Sequence, residues 1–404
     1  MPYLAHRIQL CPNNVQEGYF RRAAGTARFA WNWALGEWNL RYGEGEKVSE
    51  GLLRKLLNER KDTAFPWMAE VTKVAPQQAI KNLGTAFTRF FKKLGAYPKF
   101  KKRGEHDSFR AEDGPKSKTG SAVETEGNYV ILPRIGRIKM TEAVRFSGRV
   151  MEVVVSREAD RWFASFLVET EHVPQHGEKV IGVDLGVKDA VVLSTGERFP
   201  GPKPLRKRLR KLKRLSRQHS RKVKGSRNRK KSAMRLARLH RRIKNIRKGF
   251  LHKVTSYIVS KAKTVVIEDL NVKGMLANRH LSRAISDIGF WEFRRQMEYK
   301  TEMNEVALIV ANRWFPSTKL CRKCGTLNDL SLDERIYRCD CGHVEDRDLN
   351  AARNLRTLAE SSSDKPNACG PESSGSSRKG RTKLCRVEAG TSHKRTLRAF
   401  GKRK

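Results

Sequence analysis

Between residues 203 and 249 the chain places 23 Lys or Arg and no Asp or Glu. A globular core cannot absorb such a segment, so it either projects from the fold or stays solvated. Its apolar residues bear on that choice. Leu205, Leu209, Leu212 and Leu215 recur at helical spacing, as do Leu236, Leu239, Ile243 and Ile246, and "KGSRN" between the two sets reads as a turn. The pattern predicts a helical hairpin with a narrow apolar seam. Cations without acidic neighbours repel one another unless an outside polyanion neutralises them. The whole chain shares the bias, with 85 Lys and Arg against 42 Asp and Glu and a net charge of +43 over 404 residues. Nucleic acid is the first partner this implies, and an anionic membrane surface the weaker alternative. The N-terminal "MPYLAHRIQLCPNNVQ" has no apolar signal-peptide core. Runs such as "VALIVA" are too short to span a bilayer, so a soluble, intracellular protein without a membrane partner is expected.

Period-two and period-3.6 segments divide the rest. "YLAHRIQL" alternates as a strand, and Pro12 ends it. Helices follow, the first placing Trp31, Leu35 and Trp38 on one face and Phe29 and Trp33 on the next. Such a stripe is a helix–helix core or, less simply, a set of stacking platforms for bases. "YPKFKKRGEHDSFRAEDGPKSKTG" reads as a polar linker. From about Ser121 to His172 alternation returns and predicts a small antiparallel sheet or barrel. An OB-like barrel would suit nucleic acid, although the pattern fits other β-units too. The basic segment is bracketed by "KVIGVDLGVKDAVVLSTGERF" and the buried-type strand "AKTVVIEDLNV". A helix through "SDIGFWEFRRQMEYKTEMNE" and a strand at "VALIVANRWFP" come next. Beyond Glu360 few large apolar residues remain, and a disordered basic tail is expected.

Two kinds of metal ligand stand close together near the C-terminal end of this region. Seven cysteines, an odd number, argue against a disulfide framework in an intracellular chain. Four cluster as Cys321-x-x-Cys324 and Cys339-x-Cys341, each pair followed by Gly as a knuckle requires. Four thiolates would close a structural zinc site, and the second pair departs from the usual two-residue spacing. The acids form a second set. Asp184 lies late in "VIGVDLG" and Glu268 ends "TVVIEDL", each where an apolar strand runs out. A third acid opens the helix "DLNAARNL". Three carboxylates at one end of a sheet can hold two magnesium ions for phosphodiester hydrolysis. Asp269 follows Glu268 and should point to the opposite face.

Taken in order, "GVDLGVKDAVV", "VVIEDLNVKGM", "AISDIGFWEFRRQMEYK", "WFPSTKLCRKCG" and "DRDLNAARNL" resemble the TnpB proteins, RNA-guided nucleases of insertion sequences related to type V CRISPR effectors. "HRIQLCPNNVQ", "GTARFAWNWAL" and "QQAIKNLGTAFTRFFKK" match the same family, so the resemblance spans roughly residues 5–358. It implies a multidomain α/β and β protein. A wedge domain would comprise the strand at 1–10 and an OB-like β-barrel at 117–176, with a helical recognition domain at 11–116. A RuvC-like, RNase H-type nuclease would cover 177–315 and resume at 346–360, interrupted by a zinc-ribbon insertion at 316–345, and 361–404 would be the tail. The family's catalytic and magnesium-binding acids would fall on Asp184, Glu268 and Asp348, with Asp346 the runner-up for the third. Zinc would sit on Cys321, Cys324, Cys339 and Cys341.

The resemblance also implies a guide RNA from the transposon end, double-stranded target DNA and a short target-adjacent motif. Lys73 and Gln77 are candidate readers of that motif, though a plain solvated helix face explains them as well. Arg227, Arg229, Lys230 and Lys231 in the basic hairpin are candidate RNA contacts. No HNH-type motif interrupts the nuclease segment, so one site would cut both strands. The expected location is the nucleoid in a prokaryotic cytoplasm. Competing readings are a guide-dependent DNA binder that has lost cleavage, a non-enzymatic RNA- or DNA-binding protein, and a transposase proper. The last fits guide dependence poorly, and a pure binder has no need of acids at strand ends.

Overall fold

The first strand, β1 (Tyr3–Cys11), buries Leu4, His6, Ile8 and Leu10 and leaves the residues between them exposed or half-buried. A strand with one buried face needs lateral partners and a cover. In the computed structural model, which describes residues 3–111, 123–331 and 334–362, both come from distant parts of the chain. Strands β2 (Ser108–Arg110), β3 (Glu124–Glu126), β4 (Tyr129–Leu132), β5 (Gly136–Met140), β6 (Arg149–Glu158) and β7 (Arg161–Glu169) join β1 in one sheet. Its order is β2-β6-β7-β1-β5-β4-β3 with every pair antiparallel. Helices α1 (Asn14–Gly43), α2 (Glu50–Ala64) and α3 (Val74–Phe91) share its core.

Asn13 and Gln16 start α1 with a reciprocal capping box. Phe20, Trp31, Leu35 and Trp38 of α1 enter the core with Leu83 and Phe87 of α3, and Trp38 stacks on Phe87 at 3.9 Å. The tryptophan stripe is therefore core, with Phe29 and Trp33 packed half-buried against it. β2 falls in the stretch expected to be linker. With one buried side chain, Phe109, between two polar neighbours, it is too short to show a period.

The second sheet contains β8 (Lys179–Asp184), β9 (Val191–Leu193), β10 (Arg198–Phe199), β11 (Ala262–Glu268) and β12 (Ala307–Ala311). Its order is β10-β9-β8-β11-β12, antiparallel from β10 to β8 and parallel from β8 to β12. Parallel neighbours require long crossovers. The first is the basic hairpin, α4 (Pro204–Ser220) and α5 (Arg227–Lys261), whose seam joins Leu205, Leu212 and Leu215 to Leu236, Leu239 and Ile243. α5 then runs on past the hairpin and buries Leu251, Val254, Ile258 and Val259 beside the sheet. The second crossover is α6 (Val272–Ala277), α7 (Ser282–Ile288) and α8 (Phe290–Met303). The sequence reads as one helix through this last stretch, but Gly289, at φ 84°, breaks it in the left-handed region open to glycine.

A two-stranded ribbon, β13 (Ile336–Arg338) and β14 (Val344–Asp346), precedes the last described helix, α9 (Arg347–Ser362). The tail expected to be disordered lies, from residue 363 on, outside the described residues. The sheet is buried on both faces. Ile181, Val183, Val265 and Ile267 pack with α5 and α8. Val266 faces the other way, with Leu355 and Ala359 of α9. On that second face Gly182 lets helix and strand backbones meet. A Cβ there would collide with the Ala352 carbonyl oxygen and stand 2.6 Å from the Arg356 amide nitrogen.

Gly182→Ala should therefore cost at least about 1–3 kcal/mol through overpacking. Gly249→Ala, in α5 where an added Cβ meets nothing within 4 Å, should instead add about 0.5–1 kcal/mol. Urea melts of the two variants provide the comparison, and equal stabilities would show that α9 does not rest directly on β8.

Candidate active site and metal centre

Strand register brings the first two acids together. β8 and β11 pair at Val183 and Ile267, so Asp184 and Glu268 follow side by side at the ends of parallel strands. Alternation puts both on the α9 face, in line with Gly182 and Val266. Asp348 lies in the first turn of α9. Asp184 is only 6 % exposed. Burial pushes its carboxyl well above the usual range, the charges of Glu268 and Asp348 push it further, and Arg347 opposes them. Burial also raises Glu268, against a hydrogen bond from the Ser317 hydroxyl.

The two neighbouring acids have other partners. Asp346 accepts the backbone N–H groups of Asp348 and Leu349, both at 3.1 Å, and pairs with Arg198 at 2.9 Å. It caps α9, where a carboxylate offsets the positive end of the helix dipole. Asp269 pairs with Arg294 of α8 and with Arg313, the latter at 2.8 Å. Burial alone would raise its carboxyl, but these two guanidinium groups hold it below the usual range. Beside Glu268, the residues Lys273, Trp291, Arg294 and Arg313 line a cavity of about 390 Å³.

The cysteines meet as their spacing predicts. Their four Sγ atoms lie within 4.8 Å of one another, a group able to hold a metal ion. Two knuckles bring them there. The Gly325 N–H donates to the Cys321 carbonyl at 2.9 Å, and the Gly342 N–H to the Cys339 carbonyl at 2.9 Å. Both glycines have positive φ, 77° and 79°. One residue between Cys339 and Cys341 is thus enough to close the second knuckle. Tyr337, fully buried beneath the ribbon, donates to the Lys319 carbonyl at 3.1 Å.

The basic residues divide by task. Arg227, Lys230 and Lys231 are exposed at the start of α5. Arg229 folds back and donates to the carbonyls of Lys222 at 2.8 Å and His219 at 3.3 Å, closing the hairpin turn. Further along α5, Arg238 and Arg241 pair with Asp160, and Lys244 with Glu158. Arg238, Arg241 and Lys244 thus have acidic partners, on the β6–β7 turn and remote in sequence. The Asp287 carboxylate accepts the Leu205 and Arg206 amides at 2.8 and 2.9 Å, fastening the start of α4 to α7. Lys73 and Gln77, at the start of α3, line a narrow cleft with Arg54, Asn58 and Lys61 of α2. Ser317, Gly182 and Asp287 escape sequence reasoning. Gly182 carries the one usable signal, a glycine in the middle of a buried strand.

Three family models match the chain: "Helix-turn-helix domain" over residues 1–47, "Probable transposase" over 164–279, and "Cas12f1-like, TNB domain" over 290–355. The first spans β1 and α1, which here are a strand and one continuous helix. A Streptomyces pristinaespiralis protein described as "Putative RNA-guided DNA endonuclease" is 38% identical over 374 residues, covering 91% of this chain and 90% of that one. "Putative RNA-guided DNA endonuclease InsQ" of Escherichia coli (strain K12) is 34% identical over 372 residues, covering 87% of this chain and 91% of that one. The solved "Cas12f1-sgRNA-target DNA complex" contains a chain with a TM-score of 0.53 at 16% identity, over 84% of this chain and 83% of that one, a likeness of fold. Among the described residues no helix is long and apolar enough to cross a membrane.

A carboxyl held above its ordinary value binds more protons in the folded than in the unfolded state. It therefore destabilises the fold as pH rises past the ordinary aspartate value of 3.8. In chelator, Asp184→Asn should melt a few degrees above wild type at pH 8, and the gap should close as pH falls towards 4. Thermal melts across that range measure it. A variant less stable than wild type at pH 8 would contradict mutual repulsion among the acids.

Proposed function

The chain belongs to the TnpB family of RNA-guided DNA endonucleases, and we propose that it is the nuclease of an insertion sequence, hydrolysing target DNA through Asp184, Glu268 and Asp348. The convergence of these carboxylates where β8 and β11 end and α9 begins carries this reading. Its partners are a guide RNA, here taken to derive from the transposon end, and double-stranded target DNA selected by base pairing. The second sheet, antiparallel on one side of β8 and parallel on the other, supports a RuvC-like, RNase H-type module. The seven-stranded antiparallel sheet supports an OB-like wedge. The bacterial sources of the relatives support action in a prokaryotic cytoplasm, at the nucleoid.

Magnesium fits the acidic donor set. Hard carboxylate oxygens suit it, and charges that already weigh on Asp184 favour a divalent counter-ion. Among the described residues only the four cysteines gather as tightly as a single-ion cage. Three carboxylates at the ends of adjacent elements would suit a pair of magnesium ions. When bound, such ions would supply Lewis-acid activation of the attacking water and charge stabilisation for the leaving oxygen. Asp184 and Glu268 hold their oxygens on adjacent rigid strands, and Asp348 adds a third from the start of α9. Arg294 and Arg313, braced by Asp269, line the adjoining cavity with charge suited to a phosphate backbone. Zinc fits the four thiolates as a closed structural site. The cleft at Lys73 and Gln77 is where we place reading of the target-adjacent motif.

Asp184→Ala, Glu268→Ala and Asp348→Ala should each slow single-turnover DNA cleavage by more than about 100-fold, beyond the loss of a mere ligand-orienting partner, with guide-RNA affinity unchanged. Asp346→Ala should instead weaken the cap of α9 by about 0.5–2 kcal/mol and slow cleavage less. Near-normal cutting by Asp348→Ala, with Asp346→Ala inactive, would reverse the assignment of the third acid.

Guide RNA would run along the exposed rows of the hairpin. Replacing Arg227, Lys230 and Lys231 with Gln should weaken RNA binding and flatten its salt dependence, by about 0.7–0.9 for each phosphate set free. The required target-adjacent motif should stay the same, because backbone contacts carry no sequence information. Arg229→Gln should act differently, by loosening the turn that it closes. Filter binding over a salt series tests this, and wild-type affinity and slope in the triple variant would remove the first turns of α5 from the RNA interface.

A further inference from the structure

Glu268 is the one acid of the three that receives a hydrogen bond from the segment leading into the ribbon. Ser317, only 3 % exposed, donates its hydroxyl to Glu268 Oε1. The bond favours one orientation of a carboxylate that rotates freely about its last torsion. Ser317 is itself held. Asn354 donates to the Ser317 carbonyl at 2.8 Å and to the Leu320 carbonyl at 2.8 Å, and Asn350 donates to Leu320 at 2.9 Å. Both asparagines are buried, at 0 % and 2 % exposure, and both belong to α9, the helix that carries Asp348. Within the segment, the Leu320 amide closes a turn on the Pro316 carbonyl at 3.0 Å, and Cys321 follows directly. A chain of buried and part-buried hydrogen bonds thus joins the helix of one acid, the carboxylate of another and the segment that ends at the first cysteine of the ribbon.

We infer that Ser317 is a positioning residue for Glu268, held in place by Asn350 and Asn354, and that it sets the divalent-ion affinity of the acidic site. The inference rests on the proposed nuclease reading. Ser317 touches neither DNA nor ion. It holds the carboxylate ready at its hydrogen-bonded oxygen, so that the other oxygen faces the site in one arrangement. A buried hydroxyl serves here because the acceptor is charged, and such hydrogen bonds are the stronger ones. The ribbon has a corresponding part, as the fixed anchor at which this segment ends.

The test uses Ser317→Ala, Ser317→Cys, which keeps the volume should the smaller residue disturb the loop, and Ser317→Thr, which keeps the hydroxyl. Mn²⁺ binding to the full-length protein in high salt, followed by electron paramagnetic resonance, gives a readout independent of cleavage. The Mg²⁺ dependence of cleavage by the guide-RNA complex gives a second. In the Ala and Cys variants both should shift to higher ion concentration by on the order of 10- to 100-fold, as for other groups that orient metal ligands. Cleavage at saturating Mg²⁺ should largely recover, zinc content and guide-RNA affinity should match wild type, and Thr should stay within a few-fold of wild type. Wild-type ion dependence in the Ala and Cys variants would overturn the inference. So would joint loss of zinc and RNA binding, which would make Ser317 a residue of the fold. If wild type bound Mn²⁺ no better than Asp184→Ala, the carboxylate site itself would fall, an outcome separate from either.

Discussion

The meeting of Asp184, Glu268 and Asp348 depends on α9 lying directly on β8. Helix and sheet are normally kept apart by a layer of side chains, and here Gly182 removes that layer at one point. The helix answers with small residues, Ala351 and Ala352, both fully buried. Its first turn is thereby lowered to where the parallel strands β8 and β11 end, and Asp348 comes to bear on Asp184. Burying Asp184 beside two partly buried acids is unfavourable without a counter-ion. The fold accepts this because strand pairing and the close helix contact determine where the backbone goes, whatever the carboxylates prefer. Strain of this kind is concentrated at one site and opposed by packing elsewhere, and a divalent counter-ion would relieve it.

Much of this was legible in the sequence, and the limits have physical causes. Asp184 and Glu268 could be found because an apolar strand that ends in an acid has few structural reasons to do so. The hairpin could be found because its leucines keep a helical period through a run of charge. The choice between Asp346 and Asp348 could not rest on spacing, since both stand at the start of the same helix. Two hydrogen bonds distinguish them: Asp346 takes the amides of Asp348 and Leu349 and becomes the cap, while the charge of Asp348 bears on Asp184. The acids at Glu158 and Asp160 left no local trace. They meet Lys244, Arg238 and Arg241 across the fold, and no periodicity links residues so far apart. Ser317 was illegible for a similar reason, because its partner lies 49 residues earlier. Gly289 was visible as a glycine, but only its backbone angle turns one expected helix into two.

Charge has two uses in this chain, and the hairpin displays both. Glu158 accepts from Arg7 at 3.0 Å as well as from Lys244, and Asp160 from both Arg238 and Arg241. Isolated surface ion pairs contribute little, whereas a network of several on one turn can fix an orientation. That network ties the middle of α5 to the first sheet, and Asp287 ties the start of α4 to α7. Cations held in this way are structural. Those at the start of α5, beyond the network, remain exposed and open to an anionic partner.

The same helix also sets the distance between its exposed cations and Glu268. α5 is 35 residues long, or about 52 Å at 1.5 Å per residue. Its last residue, Lys261, is followed without a loop by Ala262, the first of β11, and β11 ends at Glu268. The exposed cations of the first turns and Glu268 are therefore at opposite ends of one uninterrupted helix and strand. The second half of α5 is buried beside the sheet it feeds, and the ion pairs to Glu158 and Asp160 hold its middle. An RNA seated on the first turns would be held at a fixed remove from the carboxylates. It would contribute orientation without crowding the strand to be cut.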